Sequence, residues 1–253
     1  MIRFKKCTFE DIREDLSIYY KENNILIDVY WEERLLLSNF YKIELDNKHV
    51  GNLAIYNKNT IIVFNVDIEY RHKARQIFEE AKRIEEVCSI FVPTSDEFLV
   101  RYALCNFRSI ENDSHYTVDS KREIEDKNKI KLTLANISDI NNINELTNKY
   151  YKNLENEVKL ERFYIASIDN EIVGFGHLTE GILMSKHSNI GMYVVEKHRA
   201  RGIATSILIA LKKMSYEMGK EPIAGCYYYN HGSLKAQLNA GMCQATDLLR
   251  VIF

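Results

Sequence analysis

The chain sets out one order of local patterns twice, and no other feature of the sequence constrains its fold as tightly. In the first half, TFEDIREDLSIYYKEN reads as a helix with Thr8 as N-cap and Glu10 and Asp11 in its first turn. A second helix is expected over 25–38. Three strand-like runs follow, FYKIEL, HVGNLAIY and IIVFNVDI, separated by the turn-rich DNK and NKNT. RHKARQIFEEAKRIEEV has helical amphipathicity, CSIFV is a strand stopped at Pro93, SDEFLVRYALCNF is a helix capped by Ser95, and HYTVD is a last strand. The second half repeats this layout. Helices within ISDINNINELTNKYYKNLENEV precede a hairpin, RFYIASI and IVGFGHLT, that turns at Asp169 and Asn170. NIGMYVV, the helix RGIATSILIALKKMSYEM, the strand AGCYYY, the short helix SLKAQLNA and the closing strand CQATDLLRVIF complete it. A leading strand, KIKLTLA, is visible only in the second half. The repeat spans roughly 120 residues and is one of layout with little identity. It predicts an α+β fold in tandem, with units at 1–122 and 123–253 and the charged SKREIEDKN (120–128) as linker. Each unit is expected to be a twisted, mostly antiparallel sheet flanked by helices. A single domain, in which two such units share one continuous sheet, is the alternative.

Charge and composition remove several function classes. Lys and Arg total 34 against 36 Asp and Glu, a formal net charge of -2. Such a balance attracts neither nucleic acid nor an anionic membrane surface. The five cysteines, Cys7, Cys88, Cys105, Cys226 and Cys243, form no CxxC pair, which argues against a disulfide framework or a zinc site. The N-terminal MIRFKKCTFEDIRED lacks the apolar core of a signal peptide, and no run of eighteen apolar residues occurs. A cytoplasmic protein without a bound metal is the expectation.

The stretch EKHRARGIATSIL carries the most chemistry. A strand ends at Val195 and a helix opens after Gly202. A helix N-terminus presents unpaired N–H groups and partial positive charge, so it can collect a pyrophosphate. Gly202 and Ala204 keep the approach clear, and Arg199 and Arg201 can add charge-assisted bonds. The competing reading is a basic capping turn. Neither GxGxxG nor GxxxxGK[ST] occurs, so a dinucleotide fold and a P-loop triphosphatase are unsupported.

Two motifs in order carry a resemblance. The Arg-x-x-Gly-x-Ala of Arg199 to Ala204, following MYVV, resembles the acyl-CoA loop of the GNAT superfamily of N-acetyltransferases. Downstream, CYYYNHGSLKAQLNAGM resembles that superfamily's strand, asparagine, short helix and glycine, with Asn230, Ser233, Leu234, Leu238 and Gly241 on the pattern and Met242 in place of the usual aromatic. The resemblance covers about residues 129 to 253. It implies acetyl-CoA as acyl donor and an amine as acceptor. It implies that backbone groups of Met192, Tyr193 and Val194 meet the pantetheine arm. It places the pyrophosphate on the amides of residues 201 to 205, Ile203, Ala204 and Thr205 among them. Asn230 is expected at the pantetheine or thiol end. The implied reaction is direct attack of the amine on the thioester, with a backbone amide stabilising the oxyanion.

The proton-transfer groups depart from that pattern. The position that often holds a leaving-group tyrosine is Gln237, and the usual strand acid is Asn189. Of the tyrosines on the preceding strand, Tyr229 is the substitute considered, against a role in the sheet surface. Glu180 is the first candidate base, against a solvated turn glutamate. His177, on the opposite face of that strand, is the second. Cys226 has no evident His partner and reads as a strand cysteine. In the first half, YRHKARQIF aligns with the loop, but Ala74 stands for Gly202 and Gln76 for Ala204. The first half is therefore expected not to bind acyl-CoA, and its Glu79/Glu80 and Glu85/Glu86 to lie on solvated helix faces. A non-catalytic acyl-CoA sensor on the same fold is the competing function.

Overall fold

The computed structural model describes all 253 residues. The chain divides into two compact units. The first holds 1–116, 182–184 and 246–253, and the second 117–181 and 185–245.

The first unit begins with a strand that the sequence pattern did not reveal, β1 (Ile2–Cys7). Ile2 and Phe4 are half-buried and Arg3 and Lys5 exposed, an alternation that Lys6 breaks after two periods. Helices α1 (Arg13–Glu22) and α2 (Val29–Leu36) follow. Thr8 does not cap α1. Its N–H and hydroxyl instead bond the Asp11 carboxylate at 2.8 and 2.7 Å, closing a turn before the helix starts. Asp28 caps α2 by accepting from Trp31 N–H. Strands β2 (Ser38–Leu45), β3 (Lys48–Tyr56) and β4 (Thr60–Val66) form an antiparallel meander, with β1 paired to β2. Its turns place Asp46 and Asn47, in a two-residue connection, and Asn57 and Lys58, in a three-residue one, at positive φ, as tight hairpin turns require. The helix expected over RHKARQIFEEAKRIEEV is shorter: a 3-10 turn at Ile68–Lys73 runs into α3 (Ala74–Ala81), and the chain then turns. Glu85, at φ 52, is exposed as expected but lies on this turn rather than on a helix face, and it accepts from Asn39 Nδ2 and from Tyr41 Oη. Strand β5 (Ser89–Pro93) joins β4 in parallel. Helix α4 (Glu97–Ala103) is capped by Asp96 rather than Ser95, and β6 (Ser109–Asp119) follows.

The second unit runs through β7 (Lys131–Leu134), α5 (Ile140–Leu146), α6 (Leu154–Lys159), β8 (Phe163–Ile168), β9 (Glu171–Glu180) and β10 (His187–Val194). Then come α7 (Ile203–Glu217), β11 (Glu221–Tyr227), α8 (His231–Asn239) and β12 (Met242–Ile252). The β8–β9 turn is the expected one, with Asp169 and Asn170 at φ 48 and 66. Strand order in the first unit is β1-β2-β3-β4-β5-β12-β6, and in the second β6-β11-β10-β9-β8-β7. The unit boundary cuts β6 after Tyr116 and β12 before Thr246.

Both units are therefore mostly antiparallel sheets with helices on their faces. In the second, α7 packs Ile203, Ile207, Leu208 and Leu211 against Val173, Leu178 and Ile190 on one face. Gly174 permits this approach, since a Cβ there would stand 2.9 Å from Ile207 Cδ1 and 2.4 Å from the Tyr193 carbonyl oxygen. The other face carries Phe163, Phe175, Tyr193 and Val195 under Ile143, Leu154 and Val158 of α5 and α6. No helix is long and apolar enough to cross a membrane.

Candidate functional site

β10 and β11 pair in parallel at His187–Glu221, Ser188–Pro222 and Asn189–Ile223, and no further. Both strands continue, β10 to Val194 and β11 to Tyr227, so a fork opens between them from Ile190 onward. The other edge of β10 stays paired with β9 as far as Val194–Gly174. Val195 N–H donates to Val173 O at 3.1 Å. Antiparallel alternation then commits the backbone of Tyr193 to β9 and turns that of Ile190, Met192 and Val194 toward the fork. The Tyr193 ring lies among Tyr150, Tyr151 and Phe175.

At the mouth of the fork lies the basic loop. A 3-10 turn at Glu196–His198 leads to Arg199, whose Nε donates to Val194 O at 3.3 Å. Ala200 has φ 62 and Gly202 φ 78, two left-handed residues that redirect the chain before α7 begins. The first helical bond is Ser206 N–H to Gly202 O. The amides of Arg201 to Thr205 find no backbone acceptor and form an open row at a helix start. Arg199, Arg201 and Gly202 are exposed, and no ion pair engages either arginine. From the linker, Asn128 Nδ2 donates to Ser206 Oγ at 3.0 Å and would stand 3.4 Å from a Cβ at Gly202. Sequence reading assigned Asn128 only to a linker.

Across the fork, Asn230 Oδ1 caps α8 by accepting from Ser233 N–H at 3.1 Å. Gln237 is buried. Its amide donates to Ser233 Oγ and Gly225 O, and its Oε1 accepts from Thr117 Oγ1 at 2.8 Å. Tyr229 lies past the end of β11, 75% exposed, with its ring 5.2 Å from Tyr228. Burial pushes the Cys226 thiol up, which keeps it protonated and inert.

The two candidate bases sit differently. Glu180 is opposite Ser188, where β10 and β11 are still paired, and its Oε2 lies 3.0 Å from Lys220 Nζ. His177 is opposite Gly191, beside the apex of the fork, on the face covered by α5 and α6. Its Nε2 lies 2.8 Å from Glu157 Oε2 on α6 and 3.1 Å from Thr179 Oγ1. The hydrogen bond from His177 holds the Glu157 carboxyl below the usual range, against its partial burial. No spacing rule flagged Glu157, which is twenty residues from its partner in sequence. No cluster of three His, Cys, Asp or Glu side chains is arranged to hold a metal ion.

The first unit has the same fork without the loop. β4 and β5 pair only at Thr60–Ser89 and Ile61–Ile90. Arg71 Nε donates to Val66 O at 3.3 Å. Beyond it the 3-10 turn passes straight into α3. Ala74 has φ -59, is fully buried and donates its N–H to Arg71 O. No left-handed break opens a row of amides. Phe64, Phe78, Phe98 and Tyr102 pack ring against ring beside it.

Comparison with known proteins agrees in both halves. Residues 8–120 match the family described as acetyltransferase (GNAT) domain, and residues 133–236 the acetyltransferase (GNAT) family. Among solved structures, a GNAT-family acetyltransferase from Colwellia psychrerythraea is 15% identical with a TM-score of 0.90, covering 100% of this chain and 99% of that one. A GCN5-related N-acetyltransferase from Sphaerobacter thermophilus is 13% identical with a TM-score of 0.63, covering 98% and 95%. A tandem GNAT protein from the clavulanic acid biosynthesis pathway is 10% identical with a TM-score of 0.65, covering 99% and 98%. At such identities these likenesses show the fold. No curated protein matches the chain.

Proposed function

The chain belongs to the GNAT family of acetyltransferases through both of its halves, and from that we propose an N-acetyltransferase with one acyl-CoA site, in the second unit, that moves an acetyl group from acetyl-CoA to a primary amine. The observation that carries this reading is the open amide row of Arg201 to Thr205 at the mouth of the β10–β11 fork, with no equivalent in the first unit. The pyrophosphate of coenzyme A sits on that row, with the exposed guanidinium groups of Arg199 and Arg201 beside it. The pantetheine arm lies in the fork and pairs with the backbone of Met192 and Val194, while Asn230 and Ser233 border its other side. This brings the thioester toward the apex. There, a fork-facing N–H of Ile190 or Met192 stabilises the oxyanion as the amine attacks the carbonyl carbon. His177 serves as base for the attacking nitrogen, directly or through one water. It stands beside the apex, whereas Glu180 is held by Lys220 where the strands are paired. The C–S bond breaks and coenzyme A leaves as the thiolate, with no acid at position 237, because the Gln237 amide has no ionisable proton. Tyr229 is a surface residue in this scheme.

The second reading, an acyl-CoA-binding sensor, draws support from Gln237 in the place of a hydroxyl. Calorimetric titration with coenzyme A, followed by free-thiol detection over a panel of primary amines with acetyl-CoA, separates the two. Turnover on an amine supports the transferase. Binding without turnover supports the sensor. Absence of binding overturns both.

A further inference from the structure

We infer that Glu157 is the positioning residue of the acetyl-transfer site, fixing His177 in the tautomer that presents Nδ1 as the proton acceptor. The inference rests on His177 being the base. Its foundation is geometric. A carboxylate only accepts hydrogen bonds, so the ring nitrogen 2.8 Å from Glu157 Oε2 is the one bearing the proton. That nitrogen is Nε2, and Thr179 Oγ1 at 3.1 Å is a second acceptor for the same N–H. In a neutral imidazole the lone pair then belongs to Nδ1. Nδ1 makes no hydrogen bond and is not sealed from solvent, on a side chain that is 21% exposed.

The surroundings suit a proton acceptor. The residue opposite His177 on β10 is Gly191, where a Cβ would meet only the Cβ of His177, at 3.8 Å. On β8 the opposite residue is Phe163, fully buried and apolar. The charged groups facing this dyad are Glu157 itself, from α6, and Arg162, which precedes β8 and also draws the Glu157 carboxyl downward. Glu180 points to the other face of β9 and pairs with Lys220. Proton accounting closes on the ring. The amine nitrogen forms its bond to the carbonyl carbon and gives one proton to Nδ1. As the C–S bond breaks, the sulfur departs as thiolate, and the imidazolium returns the proton to it. The products are the amide and the free thiol.

Glu157→Gln separates charge from geometry, since the glutamine oxygen still accepts from Nε2–H. Carbon-13 NMR of the full-length protein reads the His177 tautomer. Free-thiol release from acetyl-CoA, with benzylamine, putrescine and lysine methyl ester as acceptors, reads turnover. The expected result is an Nε2–H tautomer in the wild type and in Glu157→Gln. Glu157→Leu removes the acceptor and should populate the Nδ1–H tautomer and lower kcat at least about tenfold. The KM for acetyl-CoA should hold in both. An Nδ1–H tautomer in the wild type, or a Glu157→Leu variant that keeps both tautomer and kcat, overturns the inference. If instead the tautomers are as stated and coenzyme A binds, yet His177→Gln leaves turnover intact, it is the choice of His177 as base that fails.

Discussion

Arg199 Nε donates to the carbonyl oxygen of Val194 at 3.3 Å, and in the first unit Arg71 closes onto Val66 at the same distance. One clasp thus ends the central strand of both units. What differs is the exit from it. After Arg199 the chain takes two left-handed steps, at Ala200 and Gly202, and the helix begins with its amides open. After Arg71 a 3-10 turn uses its N–H groups internally and the helix continues from it. The proposal of one donor site, in the second unit, rests on that exit.

Gly202 is the point where this difference can be tested. At φ 78 any side chain is strained, and a carboxylate there would face the pyrophosphate. Gly202→Glu should weaken coenzyme A binding by at least about 100-fold in calorimetry, an effect of about 3 kcal/mol, while far-ultraviolet circular dichroism stays unchanged. Gln76→Glu, at an exposed position matching Ala204, is the control and should leave affinity within about twofold. Ala74 cannot serve, because a carboxylate at that buried position would disrupt the core of the first unit.

Stability should fall as pH rises toward neutrality. Burial pushes both Asp28 and Asp96 up to about 6, against the N–H groups of Trp31 and Leu99 that favour their ionised forms. Their unfolded values lie near 3.9. Between about pH 4 and 6 the folded chain therefore holds more protons than the unfolded one, and stability present below that window is lost through it. Each group accounts for about 3 kcal/mol. Glu157, lowered by His177, acts in the opposite sense only below about pH 4.5. The thermal midpoint should be higher at pH 5 than at pH 7.5. Asp28→Asn, which keeps the cap on Trp31 N–H, should flatten the slope and raise the midpoint at pH 7.5.

A buried ion pair anchors α7. Lys212 Nζ lies 2.6 Å from Asp119 Oδ1 and donates to Ala240 O at 2.8 Å, while Tyr216 Oη donates to Asp119 Oδ2. Asp119→Ala leaves a buried ammonium without its counter-ion and should cost about 3 kcal/mol in chemical denaturation. The double variant Asp119→Leu with Lys212→Met should recover most of that loss, since it removes both charges.

Glu32 holds a distant segment of chain. Its buried carboxylate accepts from Ile182 N–H and Leu183 N–H, each at 2.7 Å. In Glu32→Gln an NH2 group faces one of those amides. The expected loss is about 2 kcal/mol. Hydrogen exchange of the Ile182 and Leu183 amides should accelerate ahead of the rest of the first unit.

The local features of this fold were legible. The Asp169–Asn170 turn, the amphipathic face of α7 and the helix start after Gly202 each depend on a few neighbouring residues, whose conformational preferences are written in their side chains. The loss of the loop in the first half was readable from Ala74 for the same reason. Other local readings failed where a competing partner sat nearby. Thr8 bonds Asp11 instead of capping a helix, and Asp96 outcompetes Ser95 as a cap. β1 escaped notice because its alternation is short, running over Ile2–Lys5 before Lys6 breaks it. The chemistry at the apex was a different matter. His177 acquires Glu157 only when α6 lies over β9, Gln237 is tied to a threonine 120 residues away, and Asn128 reaches Ser206 across 78 residues. The sequence by itself therefore determined two α+β units and one helix that starts after a glycine with its amides open, because these follow from short-range backbone and amphipathic constraints. Only the tertiary structure decided where the fork opens and which carboxylate faces the histidine, because hydrogen-bond partners far apart in the chain are chosen by packing.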